Sequence, residues 1–295
     1  MVTRVGFVPP VMVRLDELPR SEALSLLYYG GSGTGKTFFC GTAGDRSIYI
    51  DCGVGPVETM QSLVFKEKVG TNPIVVKIRE EFGDNRVPKA EAFEKLWMTY
   101  DWILENRLDD FDTVCTDNGT ALRTWARAAG LKWNWQNNKS NTWDVMTKLG
   151  NPVMAPAIQD YGREIDMIAW LFQTYAGLFK DAGKNFIVTA HARQTFEKGD
   201  KIGDPKKLVK VMPGFTGETF PDDVPALFDE VWYAEKSGGG EGATFRCKPY
   251  GNAITFGKTS HGAGTLKELE TNPNFLDMLE RMRTNAVKPK HQIAR

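Results

Sequence analysis

The 295-residue chain balances 37 lysines and arginines against 37 aspartates and glutamates, and 41% of it is apolar and 25% charged. This composition excludes global disorder and a uniformly cationic nucleic-acid coat, while leaving room for a local basic patch. The four cysteines form no CxxC pair and, with only three histidines, assemble no zinc-ligand spacing, so a reducing, intracellular setting is expected. No stretch approaches the ~20 apolar residues of a membrane helix. The opening residues 1–20 carry two prolines and scattered charges, a poor signal peptide, so a soluble cytoplasmic protein is expected.

In chain order, residues 1–20 read as an irregular lead-in. Residues 24–29 (LSLLYY) form a buried strand ending at glycines, and 36–43 open a helix. Strands follow at 47–50, ending at Asp51, and at 73–78. Residues 90–108 have helical spacing through Phe93, Leu96, Trp97, Tyr100 and Ile103. A strand at 113–116 ends at Asp117. A helix at 159–179 places Ile165, Ile168, Ala169 and Phe172 on one face, and a strand at 185–190 ends at His191. Late strands at 230–235 and 243–249 flank an SGGGEG turn. Alternating strands and helices predict an α/β fold, with a mostly parallel twisted sheet, helices on both faces and a late antiparallel extension. Residues 21–265 form the core, interrupted by inserted loops at 121–156 and 193–213. Residues 266–295 supply a C-terminal helix and a basic tail with Lys288, Lys290 and Arg295, read as a solvated end or a DNA-gathering one.

The strongest motif is GGSGTGKT at 30–37, a complete G-x-x-x-x-G-K-[ST] with a strand before it and a helix after it. Gly30, Gly31, Ser32, Gly33, Thr34 and Gly35 form a loop whose N–H groups surround phosphate oxygens, and the helix from Lys36 through Thr37 and Phe38 aims its positive end at the same anion. Lys36 is expected at the β- and γ-phosphates of ATP, and the Thr37 hydroxyl on Mg²⁺. Asp117, at the tip of FDTVCTD, is the second Mg²⁺ residue, although a strand-end Asp also caps turns. Positioning of water falls to Asp51 or Glu58, with a turn cap as the plainer reading of Asp51. His191, beside Asp117, reads either as a sensor of the γ-phosphate or as a structural histidine.

The two interrupting segments follow the carboxyl ends of strands, where open α/β sheets bind ligands. Residues 121–156 hold four of the eight tryptophans, among them Trp133 and Trp135, interleaved with Arg127, Lys132 and Lys139. Residues 193–213 hold Arg193, Lys198, Lys201, Lys206 and Lys207, diluted by Glu197, Asp200 and Asp204. Rings beside cations suit single-stranded DNA. Tryptophans that serve as core or subunit contacts, with lysines on a solvated loop, would look the same.

With these residues assembled, the chain resembles the RecA-like branch of P-loop ATPases, and within it the phage-encoded AAA-type ATPases related to RecA and to phage single-strand annealing proteins. The matching pieces are GGSGTGKT, YID at 49–51, FDTVCTDN at 111–118, IQDYGREIDMI at 158–168, IVTAHAR at 187–193, FDEVWYAE at 228–235 and TFGKTSHG at 255–262. The resemblance implies a core that assembles head to tail, as a filament or a ring, with ATP at subunit interfaces. It also implies two DNA-binding loops at the interrupting segments, coupling through His191, and a basic residue, Lys258 or Lys248, that reaches a neighbour's nucleotide. It places the protein in the host cytoplasm. One departure stands out: Asp51-Cys52-Gly53 replaces the Asp-Ala-Glu of RecA, so the usual catalytic Glu position is Gly53. The expected function is an ATP-dependent single-stranded-DNA-binding ATPase in phage recombination or annealing. The alternatives are a ring-forming DNA motor or remodelling ATPase and a nucleotide-gated protein-binding module.

Overall fold

The computed structural model describes residues 22–53, 55–83, 88–138, 142–146, 152–155, 158–197, 207–217, 219–239, 242–261 and 264–286. The first strand, β1 (Ser25–Gly30), is followed by α1 (Lys36–Gly41), β2 (Ser47–Asp51), α2 (Pro56–Gln61), α3 (Leu63–Lys68) and β3 (Ile74–Lys77). Next come α4 (Ala92–Asn106), β4 (Thr113–Asp117), α5 (Gly119–Asn138), the pair β5 (Thr142–Met146) and β6 (Pro152–Ala155), α6 (Ile158–Asp181), β7 (Asn185–Phe196) and β8 (Leu208–Pro213). The chain continues through α7 (Phe220–Asp223), β9 (Glu230–Ser237), β10 (Thr244–Lys248), β11 (Glu270–Thr271) and α8 (Phe275–Ala286).

Nine strands form one sheet in the order β11-β10-β9-β1-β7-β4-β2-β3, with β8 paired to β7. Every pairing from β9 through β3 is parallel, and β10, β11 and β8 add antiparallel edges. β1 is buried along its whole length, which explains its unbroken apolar run, since a parallel strand is covered on both faces. Leu27 and Tyr29 face a core shared with α4, α5 and α6, while Leu26 and Tyr28 face a second core closed by α1, α3 and α8. Among the described residues, no helix is long and apolar enough to cross a membrane.

Two expectations are corrected. Residues 121–156 are not an inserted loop: α5 continues from the tip of β4 to Asn138, and β5 and β6 pair as a hairpin. Leu122, Trp125 and Ala126 of α5 are buried at helical spacing, so Trp125 belongs to the core. Residues 193–213 are likewise not a loop throughout. β7 runs five residues past His191 and pairs antiparallel with β8 from Ala192↔Pro213 to Phe196↔Leu208. Residues 1–21 and the basic tail at 287–295 lie outside the described residues.

The α5–α6 contact is held by a buried charge. The Glu164 carboxylate, fully buried, accepts from Arg127 Nε at 2.7 Å and from the Thr216 hydroxyl, and lies 3.5 Å from Arg123 Nε. Removing it leaves two guanidiniums facing each other without a counter-charge. Glu164→Ala is expected to lower stability by about 2–3 kcal/mol in urea denaturation, and a loss of less than about 0.5 kcal/mol would contradict this role.

Candidate nucleotide site

The parallel register brings the polar strand ends to one edge of the sheet. Gly30 of β1 stands level with His191 of β7, and Asp51 of β2 level with Asp117 of β4. Because β7 lies between β1 and β4, His191, the last β7 residue paired with β1, stands between the glycine loop and Asp117. The loop then turns into α1 through Gly35, whose φ of +84° favours glycine.

A cavity of about 430 Å³ opens over the loop, lined by Ser32, Gly33, Gly35, Lys36, Thr37, Phe38, Asp117 and His191 together with Gly55, Pro56, Thr59, Asn118 and Phe245. Lys36 is buried, and its ammonium donates to the carbonyls of Gly30 at 3.0 Å and Gly31 at 2.7 Å. Thr34 is turned back onto Gly31, its hydroxyl donating to that carbonyl at 2.9 Å. Burial lowers the Lys36 pKa, and the Asp117 carboxylate opposes that shift.

Asp117 collects the hydroxyls of the neighbouring strands. Thr37 donates to its Oδ2 at 2.6 Å, Tyr49 donates to the same oxygen, and Thr189 donates to Oδ1 at 2.5 Å. Burial and the adjacent carboxylate push the Tyr49 phenol far above its usual range, so it stays a donor. The Thr37 hydroxyl and the Asp117 carboxylate are hard oxygen donors already side by side. That set suits Mg²⁺, which takes one or two protein oxygens and completes its shell with phosphates and water. Among the described residues, no group of three or more His, Cys, Asp and Glu forms a self-sufficient metal cage.

His191 is half-buried. Burial lowers its pKa from the usual histidine value, Lys36 adds to that shift and Asp117 opposes it. Its backbone is clamped: the N–H donates to the Thr120 hydroxyl at 2.9 Å, and the carbonyl accepts from Gly214 N at 2.6 Å. His191 is thereby tied to the exit of β8. Gly214 O in turn accepts from Arg123 at 3.2 Å.

The other expected site residues fall elsewhere. Asp51 is fully buried, with Oδ2 paired to Arg79 at 2.5 Å and Oδ1 accepting from Gly53 N at 3.1 Å, so it is a neutralised turn cap rather than a water-positioning group. Glu58 is exposed in the first turn of α2, and the cavity is lined by its neighbour Thr59 instead. Lys258, expected to reach a neighbour's nucleotide, donates within its own chain to Phe228 O at 2.6 Å. It sits opposite Val231, level with Leu27 and three residues before the loop end of β1. Lys248 is paired with Glu235 at 2.6 Å.

The DNA candidates separate onto two surfaces. Lys132 and Trp133 line a cavity of about 990 Å³ between α4, α5 and α6, where Arg163 lies 3.9 Å over the Trp133 ring and Trp97 stacks on Trp170 at 3.5 Å. Lys132 also donates to Lys89 O at 2.6 Å. Arg193 lines a cavity of about 460 Å³ at the base of the β7–β8 hairpin with Arg123 and Tyr161, and donates to Gly217 O at 2.5 Å. Arg127 lies 4.8 Å over the Tyr161 ring, and Lys207 is exposed on the arm leading into β8. Lys139, Lys198, Lys201, Lys206 and the Trp135 side chain lie outside the described residues.

Sequence reasoning missed Phe245, Asn118 and Thr59 in the cavity, and Arg79 as the partner of Asp51. Asn118 carries a local signal, being adjacent to Asp117. Phe245 is brought in by the antiparallel extension expected around the SGGGEG turn, whose register with β9 places it over the loop.

No family model matches the chain, and no curated protein is similar to it. Among solved structures, the chain is similar to the crystal structure of the flagellar accessory protein FlaH from Methanocaldococcus jannaschii, with a TM-score of 0.38 and 10% identity, covering 84% of each chain. Topology and sequence therefore define the class by themselves: an α/β protein with a G-x-x-x-x-G-K-[ST] glycine loop between the first strand and first helix of a mostly parallel sheet.

Two outcomes are expected. Lys36→Ala weakens Mg·ATP binding by about 10- to 100-fold in calorimetry, the loss of charge-assisted contacts, and wild-type affinity in the variant would contradict the assignment. In an NMR titration His191 protonates below pH 6.5, and Mg·ATP raises that value because a nearby phosphate favours imidazolium. A free-chain value above 6.5, or no upward movement with ligand, would contradict it.

Proposed function

We propose that this chain is a Mg²⁺-dependent, RecA-like P-loop ATPase that binds single-stranded DNA in its ATP-bound state and acts in phage DNA recombination or annealing. The nucleotide part is carried by one observation: Lys36, the Thr37–Asp117 bond and His191 meet in a single cavity above the glycine loop. Lys36 and the loop N–H groups bind and orient the triphosphate. Thr37 and Asp117 would hold Mg²⁺, which when bound neutralises charge on the β- and γ-oxygens. Among the described residues lining the cavity, Asp117 supplies the one carboxylate, with Gly53 at the position where RecA has Glu. Turnover is therefore slow, with His191 the group nearest in role to contact the terminal phosphate or water.

The DNA part is supported by the backbone path from His191 through Gly214 to the β7–β8 hairpin, and by exposed Trp133 and Arg193. Copies assemble head to tail; a contact that fails to close gives a filament, and one that closes gives a ring suited to a motor or remodelling role. A second reading, a nucleotide-gated module for a protein partner, is favoured by the apolar tryptophan-lined cavity between α4, α5 and α6.

Single-stranded DNA is expected to stimulate ATP hydrolysis by the full chain. His191→Ala is expected to keep ATP affinity while losing that stimulation. Turnover indifferent to DNA in the wild type would favour the protein-partner reading, and undiminished stimulation in the variant would remove His191 from the coupling path.

A further inference from the structure

The ends of the loop cavity differ in chemistry. Asp117, Asn118 and His191 stand at one end, against the strand tips. At the other end two aromatic rings, Phe38 and Phe245, lie 5.7 Å apart and tilted by 38°. Phe38 is the second residue after Lys36 and is braced edge-on by Phe65 at 5.4 Å. Phe245 arrives from β10 and presses on the loop: a Cβ at Gly35 would come within 2.8 Å of its ring. Its backbone is fixed by a two-bond clasp with Asn272, whose N–H donates to Phe245 O at 2.7 Å while its side-chain oxygen accepts from Phe245 N at 3.3 Å. A phosphate chain seated on the N–H groups of the loop and first helical turn, with its terminal group toward Asp117 and His191, must leave the loop beside Gly35 and Phe38.

Several polar side chains at this cavity are otherwise engaged. Lys36 and Thr37 serve the phosphates, Asn118 Oδ1 accepts from Ala121 N at 2.9 Å, and the Thr59 hydroxyl donates to Gly55 O at 3.1 Å. Among the described lining residues, none at the Phe38–Phe245 end carries an amide or carboxylate to read the edge of a base.

We infer that Phe245, backed by Phe38, is the platform on which the nucleotide's base stacks, and that the site takes purine nucleoside triphosphates by ring face, accepting ATP and GTP alike. This rests on the nucleotide-binding reading above. A site that hydrogen-bonds a base edge discriminates by about 10⁴- to 10⁵-fold, because mismatched polar groups are left buried and unpaired. A stacking site has no such penalty, and its selectivity follows the size of the π-face.

The test is calorimetric binding of Mg complexes of ATP, GTP, CTP and inorganic tripolyphosphate to the full chain and to Phe245→Leu and Phe245→Trp. Leucine keeps an apolar contact on Gly35 without a ring face, and tryptophan restores a ring. ATP and GTP are expected to bind within about fivefold of each other, with CTP about tenfold weaker. Phe245→Leu is expected to weaken ATP and GTP by about tenfold with tripolyphosphate unchanged, and Phe245→Trp to recover the loss. Discrimination of ATP from GTP by a hundredfold or more, or unchanged ATP affinity in the leucine variant, overturns the inference. So does an equal loss for tripolyphosphate, which would make Phe245 a brace of the loop only. If tripolyphosphate binds the wild type as tightly as ATP, the base is not held and the inference fails while the phosphate site stands. If neither binds, the nucleotide-binding reading fails and takes the inference with it.

Discussion

A carboxylate sealed at the tip of a strand is costly unless its oxygens are satisfied, and the site is organised around meeting that demand for Asp117. Hydroxyls from three elements converge on it: Thr37 from α1, Tyr49 from β2 and Thr189 from β7. Each partner fixes the position of its own element relative to β4. The helix that follows the phosphate loop, the strand beside β4 and the strand carrying His191 are locked together by one side chain. Burial of Tyr49 and Thr189 also prevents the carboxylate from turning away from Thr37, leaving the pair of hard oxygen donors oriented toward the cavity.

The same economy applies to β7. It is the strand between β1 and β4, and it carries the histidine where its parallel pairing with β1 ends and continues outward as one arm of an antiparallel pair with β8. A displacement of His191 acts on Thr120 at the start of α5 and on Gly214 at the exit of β8, because its backbone is hydrogen-bonded to both. From Gly214 the connection continues to Arg123, and from there to buried Glu164 and α6. These contiguous contacts supply the set of residues through which a two-state change at His191 would act.

Much of this was legible in the sequence because strands buried on both faces read as short apolar runs that stop at a polar residue. That rule located β1, β2, β4 and the first half of β7, and with them Asp117 and His191, while Lys36 was read from the glycine motif. What it missed depended on register rather than spacing. Asp51 looked available until β2 was laid beside β3, which brings Arg79 to its carboxylate from 28 residues away. Lys258 looked free to reach outward until its strand neighbour proved to be Val231, with the carbonyls of Pro225 and Phe228 in reach. Phe245 enters the cavity because β10 folds back on β9, as the SGGGEG turn announces, but the register that turns this residue toward the loop is set by the pairing and not by spacing. The α5 helix was hidden by its tryptophans and cations, although Leu122, Trp125, Ala126 and Ala129 keep the i, i+3, i+4, i+7 period of a buried helical face. Residues 193–213 read as a loop because lysines and glycines dominate the middle of that sequence, while the stretches that form β7 and β8 alternate over only a few residues.

A density map of the full chain at saturating Mg·ATP analogue tests the central claim most directly. The account predicts a triphosphate lying along residues 30–37, its terminal group between Lys36 and Asp117. A cavity left empty under those conditions, with the Lys36 ammonium still closed onto the carbonyls of Gly30 and Gly31, would contradict it.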